Sequence, residues 1–267
     1  MRMLGSRRSA RPAAWQSGLR ARSSGAGLLI AAFALPLLIA ACGGGKKLTF
    51  DPAKADTLAH AALISESDLP GSGWKVTETD QFSDGTPFTS DTSSAACKSL
   101  DQAFSSVKSQ SEAGRAGRAE KAFEQQGGLI PTIVQVQVTI FKDTKVPSSA
   151  LDTFKQALNG NDFTSCLTDT MKQGFGKDAP SAGNLNLSVN PGTAAASAPL
   201  SGVAKAFDVS LAATGLSVNM HLEAYLWRDG NAGITVFLFG SKDALTSSLV
   251  KTVVDKMQAG LDRAAKQ

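Results

Sequence analysis

Two histidines and three cysteines are the scarce reactive side chains of this 267-residue chain. His221 is the one placed for acid–base work. Asn219, His221, Glu223 and Tyr225 alternate along Ser217 to Trp227 with Val218, Met220, Leu222, Ala224 and Leu226. Period-two alternation puts the polar set on one face of a strand. An imidazole beside a carboxylate can carry a proton, so His221 with Glu223 is the one pair from which a hydrolase could be built. The plainer reading is a solvated sheet face, and a pocket lined by Asn219, His221 and Glu223 is the sharper one. His60 stands among alanines on a short helical stretch and reads as a surface or half-buried residue. Ser-x-x-Lys occurs at Ser105-Ser106-Val107-Lys108 and Ser248-Leu249-Val250-Lys251, the spacing of a serine acyl-transfer site, yet neither Ser-Asp-Asn nor Lys-Thr-Gly accompanies it. His-Glu-x-x-His and Gly-x-Ser-x-Gly are absent from the sequence, and Gly71-x-Gly73 lacks the strand-then-helix context of a phosphate loop. No catalytic set, metal or cofactor is expected.

Cys42 has a different chemistry written around it. Arg2, Arg7, Arg8, Arg11, Arg20 and Arg22, with no acidic residue among them, precede an apolar run from Leu28 to Ala41. That is the order of a secretory signal, and the run is shorter than the roughly 20 residues of a spanning helix. Ile39-Ala40-Ala41-Cys42 resembles the bacterial lipobox. The resemblance implies cleavage before Cys42 and diacylglycerol on its sulfur. Residues 1–41 are then a lipoprotein signal peptide, and the protein sits on the extracytoplasmic face of the cell membrane, anchored through lipid at Cys42. The alternative is an ordinary signal with an incidental cysteine. Arg7-Arg8 is followed by Ser9 and Ala10, where a twin-arginine signal wants apolar bulk.

Removing the signal changes the charge. The 27 basic residues become 21 against 23 acidic ones, so the formal +4 turns into about −2. A nucleic-acid partner calls for a basic face or stripe, and the remaining sequence has none. Cys97 and Cys166 are left as an even pair in an exported chain, which suggests a disulfide. The other reading is a metal or catalytic thiol, and two cysteines without a nearby histidine make a poor zinc set.

The elements follow from pattern. Gly43-Gly44-Gly45-Lys46-Lys47 opens a flexible tether over 42–53, and ten such residues reach at most about 35 Å. Asp56 to Ser65 reads as a helix, Pro70 with Gly71 and Gly73 as a turn that delivers Trp74 to the core, and residues 75–94 as polar and turn-rich. Ala95 to Val107 reads as a helix carrying Cys97. Thr132 to Phe141 is the clearest strand: Val134, Val136, Val138 and Ile140 alternate with Gln135, Gln137 and Thr139, predicting one buried face. Ala119 to Glu124 can pair with it. The mixed charges Lys108, Glu112, Arg115, Arg118, Glu120 and Lys121 read as a solvated helix and turn, or as a headgroup-facing patch. Pro147 opens a helix with Leu151, Phe154 and Leu158 in register, which Gly160 closes in a left-handed conformation, and a second short helix carries Cys166. The Pro- and Gly-rich stretch 176–202 is the linker candidate, with a short strand at Leu185 to Val189. Strands over Val203 to Ala212, Ser217 to Trp227 and Ala232 to Phe239 follow, the last two joined at Arg228-Asp229-Gly230-Asn231 by an Asp-Gly hairpin. Ser241 caps a last helix whose Leu245, Leu249, Val253, Met257 and Leu261 recur every four residues.

Strands interrupted by helices without regular βαβ alternation indicate an α+β fold, here a curved antiparallel sheet with amphipathic helices packed on one face. Ile140-Phe141 with Ser149 and Leu151 matches Leu238-Phe239 with Ser247 and Leu249 at a shift of 98. Internal duplication, with halves 54–176 and 203–267, explains this echo, and so does chance. Asp68-Leu69-Pro70 with Trp74, then Cys97, the Val134 strand, Cys166, the later strands and the closing helix resemble actinobacterial envelope lipoproteins and the extracellular sensor domain of mycobacterial PknH-type receptor kinases. The resemblance implies a single sensor-like domain over 54–267 that binds a ligand or partner in the envelope. It carries over no binding residue.

The function expected is therefore a lipid-anchored binding module without catalysis, holding a hydrophobic or cell-wall ligand or docking another envelope protein. An envelope hydrolase with an unrecognised site, or a purely structural or accessory lipoprotein, are the alternatives. A hollow beneath the Leu245–Leu261 helix would favour a ligand carrier. A filled core with an exposed apolar patch would favour a protein partner.

Overall fold

The computed structural model describes residues 48–77, 94–127, 130–144, 155–178, 186–200, 202–213 and 216–267. Cys42, the signal, most of the tether, Pro147, Leu151 and Phe154 lie outside them. Seven strands form one open sheet: β1 (Trp74–Thr77), β2 (Arg115–Gln125), β3 (Thr132–Phe141), β4 (Asn186–Gly192), β5 (Val203–Ala213), β6 (Leu216–Asp229) and β7 (Ala232–Gly240). Their order is β1-β2-β3-β7-β6-β5-β4, and every neighbouring pair is antiparallel. Among the described residues the helices α1 (Ala55–Ala62), α2 (Ala95–Gly114), α3 (Asn161–Asp178) and α4 (Ser247–Ala264) accompany them, and residues 155–159 are also helical. The α+β class and the antiparallel sheet are as the sequence predicts.

The strand alternation sorts the core into two layers. Val134, Val136, Val138 and Ile140 of β3 join Trp227, Ile234, Val236 and Leu238 against α1 and α4. The α4 stripe of Leu249, Val250, Val253, Val254, Met257 and Leu261 is fully packed there, as is Trp74, whose indole Nε1 donates to Pro70 O at 2.9 Å. The opposite parity of the sheet (Ile133, Phe207, Leu222, Phe237, Phe239) packs on Cys97, Leu100 and Phe104 of α2 and Phe163, Cys166 and Met171 of α3. The one-face arrangement thus describes α1 and α4, and the pair α2–α3 adds a layer on the other side. For this reason β3 is buried on both faces, Gln135, Gln137 and Thr139 included. Ser149 and Leu151, which carry the helix half of the echo at a shift of 98, lie outside the described residues.

Several boundaries move. Thr246, not Ser241, caps α4, accepting from Leu249 N at 3.2 Å, while Ser241 Oγ closes the preceding turn on Ala244 N at 3.3 Å. Gly160 is not left-handed, and helix resumes at Asn161 directly after it. The stretch 176–202 supplies β4, paired along β5, and a strap, Thr193–Leu200, that lies across the sheet.

The start of the described chain is clasped to the β6–β7 hairpin. Leu48 N donates to Asp229 Oδ1 at 3.2 Å and Phe50 N to Asn231 Oδ1 at 2.8 Å. Asn231 Nδ2 donates back to Phe50 O at 3.0 Å and to Phe141 O at 2.8 Å. Gly230 has φ 58, and a Cβ there would sit 1.4 Å from Leu48 O. Positive φ at the first of two loop residues is the pattern of a type II′ hairpin. Gly230→Val is therefore expected to strain the turn and expel Leu48 at a cost of about 1–3 kcal/mol, read as a lower urea midpoint and as protease sensitivity at residues 48–50. Unchanged values would remove the clasp as a contributor to stability.

Candidate functional site

β6 presents its polar residues as the alternation requires, and the fold closes over them. His221 and Glu223 are 4% and 1% exposed. His221 Nε2 lies 3.0 Å from Glu223 Oε1, and His221 Nδ1 lies 2.7 Å from Asp208 Oδ1. Asp208 is on β5 directly opposite His221 in the register, half-exposed, with Lys242 Nζ at 3.8 Å. The second Glu223 oxygen accepts from the Tyr225 hydroxyl and from Ala195 N at 3.1 Å. Tyr225 Oη accepts in turn from Ala196 N at 3.1 Å. The backbone that covers the pair is thus the strap Thr193–Leu200. Its small residues let the main chain lie close to the sheet, and Gly202, where a Cβ would meet Leu226 O at 2.2 Å, lets it return to β5.

Charge decides what this cluster can do. The hydrogen bond to Glu223 comes first in raising the His221 pKa, against the effect of burial, with Asp208 adding to it. Burial pushes the Glu223 carboxyl up, but the bonds from His221, Tyr225 and Ala195 outweigh it and leave the pKa below the ordinary range. Burial, then the bond to Glu223, raises the Tyr225 phenol. The result is an imidazolium between two carboxylates. A hydrolytic histidine leaves one ring nitrogen for the nucleophile or water. Here both nitrogens are taken by carboxylates, and the residue is only 4% exposed.

A pH profile follows from those directions. His221, with its folded pKa above 6.5, contributes fully below about pH 6.5 and loses that contribution as pH rises through the folded value. Glu223, with its folded pKa below 4.5, contributes above about pH 4.5 and loses it as pH falls through its depressed value. Asp68, held low first by the Ser65 amide, adds to the acid-side loss. The thermal midpoint is expected to be highest at about pH 4.5–6.5 and to fall toward pH 9. Thermal melts across that range check it, and a wild-type midpoint that does not fall above pH 6.5 would contradict the charge assignment.

The other sequence candidates fare differently. Asn219 does not join the cluster: it is exposed and accepts from Ser210 Oγ at 3.0 Å. Cys97 and Cys166 are bonded, Sγ to Sγ 1.99 Å, tying α2 to α3. Ser248 Oγ contacts Thr246 Oγ1 and Lys251 pairs with Asp255, so Ser248 and Lys251 form no dyad through these atoms, while Ser105 Oγ donates to Gln102 O and the Lys108 side chain lies outside those described. The mixed charges from Arg115 to Lys121 are strand, not helix and turn. Arg118 Nη2 reaches Glu120 Oε2 at 2.6 Å and Gln137 Oε1 at 3.0 Å, and Gln135 Nε2 reaches Glu120 Oε1 at 2.5 Å. Gln135 Oε1 is buried and, among the described residues, has no partner. Beside this ladder an open cleft of about 540 Å³ runs between α1 and β2, with Asp56, His60, Arg115, Arg118 and Glu120 in its walls.

Asp208, Gln135 and the strap are what sequence reasoning missed. For Asp208 a signal existed: two residues join Ala213 to Leu216, which face each other, and that count alone sets Asp208 opposite His221. Among the described residues no group of three metal ligands exists and no helix is long and apolar enough to cross a membrane.

No family model matches the chain, and no curated protein matches it either. Among solved structures it is similar to the extracellular domain of PknH from Mycobacterium tuberculosis, with 9% identity and a TM-score of 0.41 over 84% of this chain and all of that one.

Proposed function

We propose that this protein is a lipid-anchored module on the outer face of the cell membrane that binds a polar envelope ligand in the cleft between α1 and β2, without catalysis. The cleft carries the reading. Its walls present Asp56, His60, Arg115, Arg118 and Glu120, with Arg118 Nη2 on Glu120 Oε2 at 2.6 Å. Donors and acceptors of both signs along an open wall suit a saccharide or peptide piece of the cell wall better than an apolar molecule. The filled packing beneath α4 also argues against a hydrophobic ligand held there. The inert environment of His221 supports a binding role over a hydrolytic one.

Anchoring enters as part of the proposal. The buried Cys97–Cys166 bridge suits an oxidising compartment. Leu48 is fixed to the hairpin, and the six residues 42–47 ahead of it span at most about 20 Å at full stretch. Cys42→Ala is expected to abolish palmitate labelling and detergent-phase partition. Labelling that persists would refute the anchor. For the cleft, soluble cell-wall fragments are expected to raise the thermal midpoint saturably, with the effect lost in Arg115→Glu. A second reading has its own observation. β1 pairs only with Ala122–Gln125, so residues 115–121 of β2 have no strand partner on that edge among the described residues, with Arg118 N held by Asp56 Oδ1 at 3.0 Å, and an extended segment of an envelope protein that displaces Asp56 could add there. No shift with cell-wall fragments, together with photo-crosslinking to a protein from position 60 but not from position 251, would favour it.

A further inference from the structure

Glu223 and Asp208 grip His221 from two sides, and Glu223 and Tyr225 also hold backbone. The strap, residues 193–200, lies outside the strands, and among the described residues its polar attachments to the sheet are Ala195 N on Glu223 Oε2 and Ala196 N on Tyr225 Oη, each 3.1 Å. Its apolar contribution comes from Ala194, Ala195, Ala196 and Ala198, which rest on the α1–α4 core layer. It ends at Leu200, a non-glycine residue with φ 49 and an exposed side chain.

We propose that this strap is a latch keyed to the proton on His221: shut while the imidazolium sits between the two carboxylates, and lifted when that proton leaves. A neutral ring keeps a single N–H and cannot serve both carboxylates at once. The groups facing His221 are Asp208 from β5 and Glu223 and Tyr225 from β6. Lys242, after β7, reaches only Asp208 and is itself exposed. From Gly192 to Leu200 the strap carries no titratable side chain. Once His221 is neutral, Glu223 is a buried anion with no cation against it. A buried charge in that state is costly, and hydration relieves it. Ala195 and Ala196 are the backbone between Glu223 and water. Alanine side chains give up little apolar burial on leaving, and opening releases the left-handed Leu200, so the hydrogen bonds to Glu223 and Tyr225 are the principal hold. Because the Glu223 bond raises the His221 pKa, release falls on the alkaline side of neutrality's lower edge.

Hydrogen exchange by mass spectrometry on the full chain tests this. Peptides spanning residues 193–200 and 132–141 are followed from pH 5.5 to 9, with rates corrected for intrinsic exchange. The expected result is a loss of at least tenfold in strap protection as pH rises, with the β3 peptide unchanged. Glu223→Gln, which removes the buried charge, is expected to abolish the step. Equal strap protection across the range, or the same step in Glu223→Gln, overturns the latch. If Glu223→Gln does not fold, Asp208→Asn serves: neutralising one of the two carboxylates should move the step to lower pH, and an unmoved step overturns the proposal.

Discussion

Replacing His221 with alanine is expected to destabilise the protein by about 3–5 kcal/mol, the range for stripping one partner from a buried ion pair. Glu223 is almost wholly buried and keeps only the Tyr225 hydroxyl and the Ala195 amide on its other oxygen. Lys242 cannot step in, because it lies beside Asp208 at the surface. At this chain length such a loss lowers the thermal midpoint by roughly 10 °C. The size of the effect reports the stranded carboxylate rather than the worth of the pair. A His221→Leu, Glu223→Leu double variant should therefore recover much of the loss, since well-packed apolar replacements of buried ion pairs are often neutral. Urea denaturation of the single and double variants decides the matter. A single-variant cost under about 1 kcal/mol, the size of one ordinary hydrogen bond, would mean that Glu223 carries no buried charge.

Opening the Cys97–Cys166 bridge is the other large change. The cysteines are 69 residues apart in sequence, and the chain-entropy relation gives about 4 kcal/mol for a loop of that size. The two sulfurs sit in the apolar layer of Leu100, Phe104, Phe163 and Met171, where they also hold α2 against α3. Cys97→Ser, Cys166→Ser should lower the urea midpoint without changing the β-sheet circular dichroism of the folded state, and reductant should do the same to the wild type. A wild-type midpoint indifferent to reductant would mean that the bridge does not stabilise the protein in solution.

The parts of the fold legible in the sequence are those whose period is local. The alternation in β3, the Asp-Gly hairpin and the four-residue stripe of α4 each follow from backbone geometry within a single element. Gln135, Gln137 and Thr139 misled because alternation shows which residues share a face and not what covers that face. A second helix layer on their side turned an expected solvated row into a buried polar ladder. The strap misled in the opposite sense: Ala, Pro and Gly without periodicity look like a linker, yet these residues are small enough to lie flat on the sheet. Of the candidate site, His221, Glu223 and Tyr225 were visible as a shared strand face. Asp208 needed a register, and the amides of Ala195 and Ala196 needed a contact across 28 and 29 residues. The Asn231 clasp on Phe50 spans 181 residues and left no mark in either local stretch.

That clasp determines where force enters the molecule. A pull on the chain ahead of Leu48 arrives at the turn between β6 and β7, and Asn231 passes it to the end of β3. These are the three innermost strands of the sheet. Tension is thereby delivered to the middle of the sheet, where many bonds share it, and not to a margin such as β1 or β4 that could unzip one bond at a time.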